Sequence, residues 1–179
     1  MQGNIYEVNV RQFTPEGTLN AFALHLDRLK EMGVQTIWFM PINPISKTDR
    51  KGSLGSYYAV SDYTALNPEF GTLQDFQKIV SSIHQKGMKV LIDWVPNHTG
   101  GDNRWLTSHP DFFVKDSTGK AAMAVDWADT RQLNYQNPEM KDSMVAAMKY
   151  WINQADIDGF RCDVAWNPSI SAWLIQYFI

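Results

Sequence analysis

The chain has 179 residues, enough for one domain with a sizeable core, and 44% hydrophobic against 20% charged residues excludes a disordered polymer. A net charge of −3 gives no electrostatic footprint for a nucleic acid or an anionic membrane surface, so neither is expected as a partner. The single cysteine, Cys162, excludes an internal disulfide, and no stretch approaches the roughly 20 apolar residues of a membrane span. The opening MQGNIYEVNV lacks the basic-then-apolar order of a secretory signal. It runs almost directly into a strand, as an internal fragment would, and the compartment stays open.

In chain order, a first strand is predicted over residues 5–13, with apolarity at Ile5, Val8 and Val10. Thr18 is placed to cap a helix whose apolar positions Leu19, Phe22, Leu26, Leu29 and Met32 recur every three to four residues and which Gly33 ends. TIWFMPI (36–42) reads as a second strand. After a connection over 43–71, Thr72 and Asp75 form a capping-box pattern, with Asp in place of the usual Glu. The helix they open carries Leu73, Phe76, Ile79, Val80 and Ile83 and stops at Gly87. KVLIDWV (89–95) is the third predicted strand. A second long connection, 99–136, holds Trp105, Phe112, Phe113 and Trp127. Asn137-Pro138 then supplies a cap and an N1 proline for a helix with Met140, Met144, Met148, Trp151 and Ala155 on one stripe. That methionine stripe reads as core. GFRCDVA (159–165) is the fourth strand, and a last apolar helix runs on to Ile179.

Strand–helix alternation implies an α/β fold with a parallel sheet and right-handed crossovers. The near-continuous apolar runs fit strands buried on both faces. A doubly wound sheet and a (β/α)8 TIM barrel both fit this order. No glycine-rich phosphate loop follows the first strand, which weighs against a dinucleotide fold. A barrel takes about 250 residues, and four strands are half of one. Both long connections leave the C-terminal ends of strands, the barrel face on which active sites are built.

Polar residues cluster at those strand ends. The third strand ends in Asp93-Trp94-Val95-Pro96-Asn97-His98, and the fourth carries Arg161-Cys162-Asp163. Alternate strand residues share a face, so Arg161 and Asp163 are expected to point the same way. An arginine there would keep the carboxylate ionised, as covalent glycosyl transfer requires of its nucleophile. A buried structural ion pair explains the same residues equally well. His98 alone reads as a satisfied loop histidine, Asp93 as a turn cap, and Tyr57 and Tyr58 as packed loop aromatics.

Taken together, IYEVNVRQFTPEG (5–17), GSYYAVSDYTALNPEFGT (55–72), DWVPNH (93–98), QLNY (132–135) and GFRCDVA (159–165) occur in one order with suitable spacing. This resembles the α-amylase family, family 13 of the glycoside hydrolases, over essentially the whole chain. The resemblance implies the first half of a (β/α)8 TIM barrel. It divides the chain into three β/α units (1–98), a short loop domain (99–136), and a third helix, fourth strand and incipient fourth helix (137–179), all within one incomplete catalytic domain. It implies a retaining double displacement on an α-glucan or α-glucoside. Asp163 falls on the catalytic nucleophile, Arg161 on the arginine that holds it ionised, and His98 on a donor to sugar hydroxyls. Asp93 falls on a bracing carboxylate and Tyr58 on the platform beneath the sugar.

The chain also departs from the family pattern. Retaining glycosidases need a second carboxyl as general acid, which the family carries on its fifth strand, and VAWNPSISAWLIQYFI after Asp163 contains no acidic residue. The 179 residues taken alone are therefore expected to be inactive. Calcium, frequent in the family, has one candidate ligand here, Asn97. The histidine that follows the nucleophile in the family is missing from Val164-Ala165-Trp166-Asn167, the loop after strand three is short, and no set of six to eight oxygens is visible. No cofactor is assigned, and calcium stays open. Two alternatives to a hydrolase stay open: a family transferase or isomerase acting on α-glucosides, and a non-catalytic sugar-binding half-barrel. Half a barrel would expose strand edges, so self-association or aggregation through them is expected.

Overall fold

The computed structural model describes residues 3–178. Its strands are β1 (Asn4–Val8), β2 (Val34–Phe39), β3 (Lys89–Trp94), β4 (His98–Gly100), β5 (Thr130–Gln132) and β6 (Gly159–Cys162). Its α-helices are α1 (Val10–Phe13), α2 (Leu19–Ala23), α3 (Leu26–Glu31), α4 (Leu73–Gln85), α5 (Trp105–Ser108), α6 (Pro138–Ala155) and α7 (Pro168–Phe178). Two compact units emerge. One combines the stretch ending at Ile42 with Thr64–Trp94 and Lys149–Arg161; the other combines Asn43–Tyr63, Val95–Met148 and the stretch from Cys162.

The first unit is built on a parallel sheet ordered β1-β2-β3-β6, the sequential order of a right-handed β/α wind. One face is fully packed: Val8, Ile37, Phe39, Val90, Ile92 and Trp94 are all 0% exposed. Edge-to-face aromatic contacts link that face to the helices, from Phe13 to Phe22, Phe39, Phe76 and Trp151, with centroids 4.7 to 5.8 Å apart. Each such pair adds about 0.5–1.5 kcal/mol beyond its burial. The expectation of burial on both faces fails for the other side, where Thr36, Trp38 and Leu91 are only half-buried. Helix α4 opens as expected: Asp75 N–H donates to Thr72 Oγ1, and the Asp75 carboxylate accepts from Thr72 N–H.

Three local expectations are corrected. The first strand ends at Val8, and Val10–Phe13 is a helical turn. Ile5 is 62% exposed, because period two pairs it with Glu7 and not with Val8. The helix expected over 19–32 is two short helices. Backbone bonds Leu24 N–H to Ala21 and His25 N–H to Phe22 tighten the chain at the break and leave Leu24 84% exposed, while Leu19, Phe22, Leu26 and Leu29 stay buried. Met32 leaves the stripe, 54% exposed, where Gly33 (φ +81°) turns the chain in the left-handed region that glycine tolerates.

The second unit contains the antiparallel pair β4–β5, which the sequence did not announce. Its core gathers Tyr63, Trp105, Phe112, Phe113, Met140 and Met144, all buried. The Met140–Met144–Met148 stripe is core, as expected. Among the described residues no helix is long and apolar enough to cross a membrane. Ile179, the end of the last predicted helix, lies outside the described residues.

Candidate active site

In the sheet unit, Trp38, Asp93 and Arg161 occupy the next-to-last positions of β2, β3 and β6. Their side chains meet on the less covered face. Arg161 Nη1 donates to both Asp93 oxygens at 3.1 Å, and Trp38 Nε1 donates to Asp93 Oδ2 at 3.2 Å. The guanidinium also lies over the Trp38 ring, 4.9 Å from its centroid. Asp93 is 0% exposed, so its charge has left water and depends on these partners. Arg161 therefore pairs with Asp93. Trp38 was missed in the sequence reading; its signal is parity, since it stands at a strand end in the same position as Asp93 and Arg161.

Asp163 is the first residue of a turn beyond β6, with Val164 next at φ +52°. This corrects the expectation that Arg161 and Asp163 alternate along one strand, because the strand ends between them at Cys162.

In the second unit, His98 opens β4 and is 2% exposed. Burial pushes its imidazole pKa down to about 4, against the pull of the Asp163 and Asp129 charges and a hydrogen bond to the Tyr58 backbone. At neutral pH the ring is uncharged. Its tautomer follows from neighbouring amides. Gln132 Nε2 faces the backbone carbonyls of Asn97 (2.9 Å) and Leu133 (3.2 Å), so it is fixed as a donor, and it also reaches Asn97 Oδ1 at 3.2 Å. Asn97 Oδ1 is thereby the acceptor, which turns Asn97 Nδ2 toward His98 Nδ1 at 3.1 Å. Nδ1 accepts, and Nε2 carries the proton. The Trp127 ring stands edge-on to the imidazole, 5.2 Å between centroids. Tyr63 holds the turn before β4: its hydroxyl lies 2.7 Å from the Val95 carbonyl and 2.8 Å from that of His98. Asp129, 3% exposed, is paired with Lys51 at 3.2 Å.

The structure thus brings Asp93 to Arg161 in one unit, and His98, Asp163 and the Tyr58 backbone into one electrostatic neighbourhood in the other. Gln132, Asn167, Asp129 and Tyr63 also belong to that neighbourhood's wiring. The QLNY motif flagged Gln132 only as part of a pattern, and the rest depend on how a loop folds, which leaves no period in a sequence.

The model of the α-amylase catalytic domain matches residues 3–128 and 114–171. "Alpha-amylase 3" of Dictyoglomus thermophilum is 30% identical over 89% of this chain and 36% of its own length. "Trehalose synthase" of Pimelobacter sp. is 32% identical over 88% of this chain and 33% of its own. Among solved structures, an α-amylase from Lactobacillus plantarum superposes with a TM-score of 0.88 and 37% identity, covering 98% of this chain and 43% of that one. The chain spans about a third of the length of the curated relatives it matches. With four parallel strands in sequential order, strand-end charges on one face and a catalytic-domain match across nearly its whole length, the chain belongs to the α-amylase family and holds half of its (β/α)8 barrel.

Proposed function

We propose that this chain carries the nucleophile half of a retaining glycosidase that acts on α-glucans, with Asp163 as the nucleophile. The observation that carries this reading is the position of Asp163, in the turn directly beyond a barrel strand whose last residues include an arginine already committed to a buried carboxylate. A nucleophile for glycosyl transfer must be ionised and aimed, and a strand-end turn supplies the aim. Asp163 attacks the anomeric carbon, the glycosidic C–O bond breaks, and a glycosyl ester forms that water later hydrolyses. Arg161 supplies a fixed positive charge two residues away in the chain, and Asp93 holds that guanidinium in place. His98 Nε2–H, kept on the ring by the amide chain behind Nδ1, donates to a sugar hydroxyl that takes the place of its Tyr58 backbone acceptor. Tyr58 presents an aromatic face to the oxocarbenium-like centre.

The leaving oxygen needs a proton, and the residues after Asp163 hold no carboxyl to deliver it. General acid catalysis contributes roughly 10²–10⁴-fold, and positioning by the rest of a barrel contributes further. The 179 residues taken alone are therefore expected to release no reducing sugar from starch. Reducing sugar released by the purified polypeptide, and lost in Asp163→Asn, would refute that. A second reading has one specific support: the relative called trehalose synthase is as similar as the amylase. A transferase or isomerase on α-glucosides shares every step up to the glycosyl ester and differs in the acceptor.

A further inference from the structure

The residues around Asn97 are wired in a way that bears on calcium. Asn97 is 2% exposed, and both of its oxygens already face N–H groups. Its side-chain Oδ1 accepts from Gln132 Nε2 and from Asn167 Nδ2, each at 3.2 Å. Its backbone carbonyl accepts from Gln132 Nε2 at 2.9 Å and from Leu133 N–H at 3.2 Å. The orientation of the Asn167 amide is fixed independently. Its Oδ1 accepts from Ser169 N–H at 3.0 Å, in the N-terminal turn of α7, which leaves Nδ2 as the group aimed at Asn97. A divalent cation needs lone pairs pointed at it, and calcium needs six to eight oxygens. Here the lone pairs of Asn97 point at protons.

Three carboxylates of the same unit are engaged as well. Asp129 faces Lys51 at 3.2 Å, Asp49 faces Arg131 at 2.6 Å, and Asp102 accepts from the backbone N–H of Lys47 at 2.7 Å. Among the described residues, no group of three or more His, Cys, Asp or Glu side chains is placed to hold a metal. The donor set does not fit calcium.

We propose that in this chain an amide cluster, Gln132–Asn97–Asn167, does the structural work of a calcium ion. It ties the segment after β3 to the end of β5 and to the cap of α7 by neutral hydrogen bonds, and Lys51 supplies the positive charge that buried Asp129 requires. The chain's stability is therefore independent of calcium. This inference rests on family membership and not on the role of Asp163, so it stands or falls separately from the nucleophile assignment.

The test is thermal denaturation of the full chain after dialysis against EDTA, compared with the same sample given saturating calcium chloride. The expected melting temperatures are the same. A melting temperature that falls in EDTA and recovers with calcium overturns the proposal, and this comparison needs no variant. Asn167→Ala and Gln132→Ala sharpen it. Each is expected to lower the melting temperature by roughly 2–4 °C per hydrogen bond lost, equally in both media. No loss from either substitution would show that the cluster holds nothing, and would also overturn the proposal.

Discussion

The strand ends of the sheet unit and the surroundings of Asn97 and His98 in the loop unit handle buried polarity by different means. In the sheet unit, charge is met by charge: Asp93, fully buried, is held by Arg161 and by the Trp38 N–H. Around His98 in the loop unit, polarity is met mostly by neutral amides, and the histidine is kept uncharged. The difference shows what each arrangement risks. An ion pair that loses one partner leaves a whole charge in a poorly solvated place. An amide cluster that loses one member forfeits single hydrogen bonds of about 1 kcal/mol each.

The largest expected effect breaks the ion pair. Arg161→Met leaves the buried Asp93 carboxylate without its guanidinium partner, and should cost about 3 kcal/mol in chemical denaturation, toward the low end for buried pairs because the guanidinium is 39% exposed. Adding Asp93→Asn to that variant should restore part of the loss, since the stranded charge is then gone. A loss that stays below about 0.5 kcal/mol would place Asp93 in contact with water and remove the contrast between the units.

Next in size is a pH effect confined to the loop unit. Folding lowers the His98 pKa from 6.5 to about 4, so the unfolded chain binds the extra proton in that interval. Stability from the neutral ring is full above pH ~6.5 and is lost as pH falls through about 4, amounting to about 3 kcal/mol. The charges facing the ring, Asp163 and Asp129, are already included in that net direction. In His98→Gln the fall in melting temperature between pH 6.5 and 4 should flatten. An unchanged slope would mean that another group titrates there.

A smaller effect is expected from Tyr63→Phe. The buried hydroxyl shares one proton between the Val95 and His98 carbonyls, and losing it should cost about 1–2 kcal/mol. A neutral result would remove Tyr63 from the support of β4.

How much of this was readable beforehand follows the same contrast. The sheet unit was legible because repeating elements write themselves as periods. The 3.6-residue pattern marked α4 and its capping box at Thr72 and Asp75, and the order of β1, β2, β3 and β6 follows from right-handed crossovers. Errors there came from parity and length. The apolar positions Ile5 and Val8, three residues apart, fall on opposite faces of β1, and one amphipathic stripe hid the break at Leu24. The loop unit was legible only where motif residues stand. The sequence marked His98 and Asn97 but not the strand pair β4–β5, nor the role of Asn167, whose orientation depends on its capping of α7. Asp163 shows both sides: its identity was plain, while its place in a turn and not on the strand depended on where β6 stops.

The central claim is that Asp163 forms the glycosyl ester, and trapping that ester tests it most directly. A 5-fluoro-α-glucosyl fluoride loses fluoride without needing a proton, so ester formation reports on the nucleophile and not on a general acid, and the second fluorine slows hydrolysis of the ester. The suitable protein joins residues 1–179 to the remaining barrel strands of the Lactobacillus plantarum relative, which is 37% identical. Mass spectrometry of the digested adduct should place one sugar on the peptide containing Asp163, and Asp163→Asn should abolish it. A sugar found on another residue, or a label undiminished in Asp163→Asn, would contradict the claim.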